Sequence, residues 1–232
     1  MCVCVNHLES GLNKILNGAP QTERLGLRSV DSLVPLLNRY CDEIERFNPA
    51  YGLVSVKDRE ELVVKHILDS LAPIHSIARL AVSRSPKNPQ IVDVGSGAGL
   101  PGIPLAMALP DASVTLIERA GRRAGFLRNT AAVLGLANVE ILEMEMEKAP
   151  PDIADVVCFR AFRQLEPEIL KKLLRLLKPE GYLLAYKGRA ETVYAEMLPM
   201  TRLLRQQNLL WSVMPCKVPF LNDERNIVMI RY

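Results

Sequence analysis

Apolar residues recur at helical spacing through the first third of the chain. Leu8, Leu12, Ile15 and Leu16 share one face, and Val30, Leu33, Val34, Leu37, Cys41 and Ile44 share another at i, i+3, i+4 and i+7. Two amphipathic helices follow from this pattern. Pro35 is placed in the first turn of the second helix, where a missing N–H loses no partner, and Asn48-Pro49 is read as its end. A third helix opens at Asp58, with Glu61 three residues on as a capping-box-like pair, and turns Leu62, Val63, His66 and Ile67 to one side. The stretch Ser83 to Pro89 breaks the periodicity and reads as a linker. It divides a helical region, residues 1–82, which packs on the core, from a second unit at 83–232.

Beyond the linker the period shortens. Apolar runs at Ile91–Val94, Val114–Ile117, Val139–Leu142, Asp155–Phe159 and Tyr182–Tyr186 alternate with helical stretches near 101–109, 121–135, 165–178 and 190–206. Pro179-Glu180-Gly181 is read as the stop of the third of these helices. Strand and helix in alternation predict an α/β fold with a mostly parallel, Rossmann-like sheet covered on both faces. Leu209–Val213 and Asn226–Arg231 have no helix between them, which predicts an antiparallel hairpin at the sheet edge and brings the strands to seven.

Composition narrows the class further. The chain has 232 residues, 49% hydrophobic and 24% charged, with a net charge of +3, which excludes a disordered chain, an acidic tail protein and a histone-like polycation. Its apolar runs fall far short of the roughly 18 residues of a membrane span, and the N-terminus lacks an apolar signal core. Cys2, Cys4, Cys41, Cys158 and Cys216 form an odd set without C-x-x-C spacing, so free thiols in a reducing compartment are expected. These features describe a cytoplasmic protein with no membrane partner.

The sharpest local signal is Ile91-Val92-Asp93-Val94-Gly95-Ser96-Gly97-Ala98-Gly99-Leu100-Pro101-Gly102-Ile103-Pro104, which leaves a strand and opens a helix. Alternate glycines let the backbone turn through positive φ and come close to a ligand, at the strand edge where doubly wound sheets bind nucleotides. Asp93, Gly95, Gly97, Gly99, Leu100, Pro101 and Gly102 are therefore candidate cofactor-binding residues. Glu118 ends the second strand at the spacing where a carboxylate meets two ribose hydroxyls. A plain tight turn would leave Glu118 solvated. Nicotinamide binding remains an alternative, because Gly97 to Gly102 satisfies G-x-G-x-x-G. Asp93 favours S-adenosylmethionine, since a carboxylate there suits a cationic ligand and repels a pyrophosphate. The terminal hairpin favours a class I methyltransferase in the same way.

The sequence also resembles the bacterial ribosomal RNA guanine-N7 methyltransferases of the glucose-inhibited-division-B type. The likeness runs from Asn48-Pro49-Ala50-Tyr51-Gly52-Leu53 and Ser55-Val56-Lys57-Asp58 through Lys65-His66-Ile67-Leu68-Asp69-Ser70-Leu71 and the whole of Asp93 to Pro104. Phe126-Leu127-Arg128, Arg160-Ala161-Phe162, Lys187-Gly188 and Asp223-Glu224-Arg225-Asn226 follow in family order. The resemblance implies a class I S-adenosylmethionine-dependent fold and methylation of a guanine in the 530-loop region of 16S ribosomal RNA. It also implies that Met146 and Glu147 flank the adenine and that Arg160 belongs to the cofactor and RNA site. Three places depart from the family: Gly52-Leu53-Val54 replaces Asn-Leu-Thr, Phe159 replaces a serine and Glu145 replaces an arginine. These departures keep open a non-catalytic RNA-binding protein with a methyltransferase fold, alongside the nicotinamide-dependent oxidoreductase.

Methyl transfer to guanine N7 is an in-line displacement at a nitrogen with a free lone pair. No base has to remove a proton, so positioning dominates and neither a triad nor a metal is expected. Arg160 and Asp93 are the candidate catalytic residues, with Arg160 placed by topology at the mouth of the cleft. His66 and Asp69, one helical turn apart, are read either as a hydrogen-bonded pair near the substrate opening or as ordinary packing and capping residues. Arg122, Arg123 and Arg128, with Arg119 beside them, form a basic cluster, and Lys187 and Arg225 are further candidate phosphate contacts. The partner is 16S ribosomal RNA or the small ribosomal subunit, bound by a monomer, and DNA is not expected.

Overall fold

A computed structural model of the chain describes residues 3–17, 26–161 and 164–231; Cys2, the side chain of Cys4 and Phe162 lie outside the described residues. Helices α1 (Val3–Leu16) and α2 (Val30–Tyr51) turn the two predicted apolar stripes inward, and Leu8, Leu12, Leu33, Leu37, Cys41 and Ile44 are fully enclosed. Helix α2 departs from expectation at both prolines. It begins at Val30, so Pro35 sits in its second turn and denies the Asp31 carbonyl its usual intrahelical partner. Pro49 does not end it either, because a proline near the C-terminus removes only one further bond. The helix runs to Tyr51 and is closed by Gly52 at φ 58° and ψ 50°, whose N–H donates to Asn48 O at 2.9 Å. The Asn48 side chain then clasps the next loop, accepting from Val54 N–H at 2.9 Å and donating to Val54 O at 3.0 Å. Gly52 replaces an asparagine of the resembling family, and both residues tolerate this left-handed position.

Asp58 caps α3 (Arg59–Leu62) by accepting from Glu61 N–H at 2.8 Å, while Glu61 accepts from Lys57 N–H at 2.6 Å. The chain continues through a π-helical turn, Val63–Leu68, into α4 (Asp69–Leu71) and α5 (Ile74–Arg84), which takes up the first two residues of the predicted linker.

All seven predicted strands are present: β1 (Gln90–Val94), β2 (Ser113–Ile117), β3 (Val139–Leu142), β4 (Ala154–Arg160), β5 (Leu177–Lys187), β6 (Leu210–Pro215) and β7 (Asn226–Arg231). They lie in the order β3-β2-β1-β4-β5-β7-β6, the first five parallel and β7 antiparallel to both its neighbours. Between them run α6 (Gly102–Ala108), α7 (Gly121–Leu134), α8 (Pro167–Leu174), α9 (Ala190–Met197) and α10 (Thr201–Gln206). Pro179-Glu180-Gly181 is not the stop of a helix. Helix α8 ends earlier, and the triplet forms a bulge inside β5, where pairing jumps from Ala154 opposite Leu177 to Val156 opposite Tyr182. A Cβ on Gly181 would stand 3.0 Å from Lys178 O and 3.1 Å from Asp155 O, so a side chain there would push the neighbouring backbone by a few tenths of an ångström. The helix expected over 190–206 is interrupted by a 3₁₀ turn at Leu198–Met200, around Pro199.

Strand alternation splits the core in two. Ile91 and Leu116 pack with α1, α2 and the π turn on one face, whereas Val92, Val94 and Ile117 pack with α8 and α9 on the other. Asp155 fastens the linker to the sheet by accepting from Ser85 Oγ at 2.9 Å, Gln90 N–H at 2.7 Å and Lys178 Nζ at 3.1 Å. Cys41, Cys158 and Cys216 are free thiols. Among the described residues no helix is long and apolar enough to cross a membrane.

Candidate functional site

Parallel strands deliver their C-terminal ends to one edge, so Gly95, Glu118, Arg160 and Lys187 gather there despite their separation in sequence. Strand β7 runs the opposite way and brings its start to the same edge. Asn226 is the register partner of Lys187, which carries Arg225 into the group.

The glycine loop divides its work. Gly95, Gly97 and Gly99 have φ of 70°, 58° and 91°, all in the left-handed region. A Cβ on Gly97 would find no neighbour nearer than Gly95 O at 3.9 Å, so this residue faces open space. On Gly99 it would strike Ile103 and on Gly102 it would strike Leu116 and the Asp93 carboxylate, so these two glycines let α6 approach the sheet. Leu100 and Pro101 are buried beneath the loop, and the Tyr40 hydroxyl secures its crest by donating to Ala98 O at 2.7 Å.

Two carboxylates serve the loop from below. Glu118 accepts from Gly97 N–H at 2.9 Å and from Ala120 N–H at 2.8 Å, one bond to each oxygen. Each oxygen keeps a second acceptor site for a ligand hydroxyl. Asp93 is fully buried and accepts from Gly102 N–H at 2.9 Å through Oδ2, while Oδ1 has no partner. Burial pushes the Asp93 carboxyl up to about 7, against the pull of the hydrogen bond from Gly102. An orphaned buried oxygen, a bare glycine and a half-used carboxylate fit a ligand that combines a cation with vicinal hydroxyls.

Two cavities open along this edge. The smaller, about 220 Å³, is lined by Gly95, Glu118, Arg123, Met146, Glu147 and Ala161. The larger, about 510 Å³, is lined by Asp69, Arg160, Ala161, Tyr186, Lys187 and Arg225. Ala161 belongs to both. The chain leaving β4 at Arg160 is therefore the partition between them.

Arg160 is held by three groups of the N-terminal helices. It donates to Asp69 Oδ2 at 3.1 Å and Lys65 O at 3.2 Å, and it meets His66 Nδ1 at 2.7 Å. Arg225 donates to the other Asp69 oxygen at 3.2 Å. Asp69 lines the larger cavity, whereas His66 meets it only through Arg160, and the two are not bonded to each other. The π turn, with its wider i→i+5 spacing, rotates them off a common row, and Arg160 fills the gap. Burial, with the charge of Arg160 behind it, lowers His66 to about 4, so its Nδ1 is an acceptor at neutral pH. Burial raises the Asp69 carboxyl above its usual value against the pull of both arginines. Arg160 Nε is buried without a partner.

The other basic candidates are dispersed. Arg123 and Arg119 line the smaller cavity, and Arg122 lies 5.8 Å from the Tyr51 ring. Arg128 is ion-paired with Glu143 at 2.7 Å. Lys187 is paired with Glu196 at 2.7 and 3.0 Å and sits over the Phe159 ring. Glu145, the acidic departure, is 3.9 Å from Lys148. Sequence reasoning passed over Tyr40 and Tyr186, whose hydroxyl donates to Ser70 O at 2.9 Å. A signal existed for Tyr40, since a tyrosine on an otherwise apolar helix stripe needs a buried acceptor.

Comparison with known proteins decides the family. The family described as rRNA small subunit methyltransferase G matches residues 34–227. The chain belongs to this family. The ribosomal RNA small subunit methyltransferase G of Treponema denticola is 39% identical over 224 residues, covering 86% of this chain and 87% of its own. That of Yersinia pseudotuberculosis is 36% identical over 196 residues, covering 83% and 86%. Among solved structures, a SAM-dependent methyltransferase from Aquifex aeolicus superposes with a TM-score of 0.54 at 19% identity, over 83% of this chain and 98% of that one. The class I methyltransferase fold is thereby shown for this member of the methyltransferase G family.

Proposed function

We propose that this chain transfers a methyl group from S-adenosylmethionine to N7 of a guanine in the 530-loop region of 16S ribosomal RNA. The observation that carries the reading is the pair of cavities meeting at Arg160-Ala161, one built for an adenosyl group and one rimmed by guanidinium groups. Membership of the methyltransferase G family supports it. Glu118 offers acceptor sites to ribose hydroxyls, Met146 and Glu147 flank the adenine, and the buried Asp93 carboxyl favours the cationic end from beneath the loop. Gly95 and Gly97 leave bare backbone between these points, and Gly99, Leu100, Pro101 and Gly102 shape the loop from behind. Bound there, S-adenosylmethionine supplies an electrophilic methyl group.

The residues of the larger cavity hold and aim the guanine. Arg160, with its unpartnered Nε, and Arg225 bind phosphate or carbonyl oxygens, and Asp69 fixes both guanidiniums. His66 acts as an acceptor for Arg160 and moves no proton. Alignment of two reactants supplies on the order of 7–11 kcal/mol of the barrier, and N7 requires no base. Arg119, Arg122 and Arg123, with Arg128 and Lys187 once released from their acidic partners, contact the phosphate backbone. The protein acts in the cytoplasm as a monomer on 16S RNA or the small subunit, without DNA or a membrane.

The test is methylation by the purified protein of small subunits that lack the modification, using labelled cofactor. Label recovered as 7-methylguanosine and mapped to the 530 loop is the expected result. Label at another base, or none despite cofactor binding, overturns the assignment.

A further inference from the structure

Helix α8 is separated from the ligand edge by the turn that follows β3, yet its C-terminal end grips that turn from outside. Arg175, the residue that closes α8, donates from one guanidinium nitrogen to three carbonyls of the 3₁₀ turn Met146–Lys148 and its exit: Met146 O at 3.1 Å, Glu147 O at 3.0 Å and Ala149 O at 2.6 Å. Three carbonyls converging on one cation form a fixed arrangement, because their dipoles repel one another without it. One turn earlier in α8, Lys172 holds the Glu147 carboxylate at 2.8 Å. Neither basic residue lines the smaller cavity, whereas Met146 and Glu147 do.

We propose that Arg175, assisted by Lys172, is the positioning residue that sets the purine-recognising turn and so makes the site select adenine over other purines. The inference rests on the functional reading above and deepens it. With the carbonyls of Met146, Glu147 and Ala149 drawn toward Arg175, Met146 and Glu147 line the cavity at a fixed depth. A purine with a 6-amino donor is accepted there and one with a 6-carbonyl is refused. Arg175 touches neither ligand nor RNA and acts only through the turn.

The experiment measures binding by titration calorimetry with two probes, S-adenosylhomocysteine and S-inosylhomocysteine, for the wild type, Arg175→Gln and Lys172→Ala, with thermal melting run in parallel. The wild type is expected to prefer the adenosyl compound, and Arg175→Gln to bind it about tenfold more weakly with the preference largely erased. Lys172→Ala is expected to shift the preference in the same direction by less. A merely structural role would lower the melting temperature and leave the ratio between the probes unchanged, and that result overturns the proposal. If Arg175→Gln does not fold, an unchanged ratio in Lys172→Ala overturns it and a reduced ratio supports it. A wild type that binds neither probe overturns the functional reading itself, which separates the two failures.

Discussion

At the scale of single residues, the glycine loop combines two demands that its sequence writes with one letter. Gly97 faces open space, whereas Gly102 is pressed between Leu116 and Asp93. Gly97→Asp is therefore expected to abolish binding of S-adenosylhomocysteine, at a cost of about 1–3 kcal/mol in stability from its left-handed backbone at φ 58°. Gly102→Ala is expected to lose about 1–3 kcal/mol of stability through overpacking. Calorimetry and urea unfolding on the same preparations check both, and a Gly97→Asp protein that still binds would be decisive against the loop as a ligand site. Asp93 gives a pH signature. Its folded pKa of about 7 lies above the ordinary carboxyl value, so the folded state holds its proton more tightly than the unfolded chain. Stability from this group is full below about pH 4 and is lost as pH rises to about 7, with a slope of up to about 1.4 kcal/mol per pH unit. Asp93→Asn should lack that decline in urea unfolding across the same range; an identical slope in both proteins would refute it. The motif residues were legible because alternate glycines and a strand-end carboxylate announce themselves. Which glycine packs and which faces a ligand was not, since that depends on side chains brought from β2 and α7.

At the scale of elements, periodicity revealed every strand and the faces of the long helices, because burial on one side or both imposes a period that composition alone does not. Helix ends were less legible. Pro49 and Pro179 are strong local punctuators, but at Pro49 the helix already had a cap at Gly52, and at Pro179 the apolar run through Leu176 and Leu177 continued the sheet. Tertiary packing overrode the local signal in both cases. The π turn at Val63–Leu68 leaves no such mark in sequence, and it decides that Arg160, and not a direct bond, joins His66 to Asp69. Helix α2 also reaches the ligand loop through the Tyr40 hydroxyl. Tyr40→Phe removes a buried donor and leaves Ala98 O unpaired, so a loss of about 1–3 kcal/mol in stability is expected, together with weaker S-adenosylhomocysteine binding. Binding that is fully retained in calorimetry would show that the crest of the loop does not depend on α2.

At the scale of the whole molecule, α1–α5 are not an appendage. They share one apolar core with β1, β2, α6 and α7, they supply Tyr40, His66 and Asp69, and Tyr186 returns a bond to Ser70. A chain lacking residues 1–82 should therefore show no cooperative melting transition by circular dichroism; a sharp transition would establish 83–232 as an independent unit. The sequence placed the boundary by a change of period, but a change of period does not report whether two regions share a core. The position of β7 has a consequence for the order of manufacture. During translation it emerges after all six of its fellow strands, yet it must slide between two of them, and Arg225 arrives with it to meet Asp69 across most of the chain. The larger cavity, which takes Arg225 into its wall, is therefore completed by a later part of the chain than the smaller one, whose lining ends at Ala161.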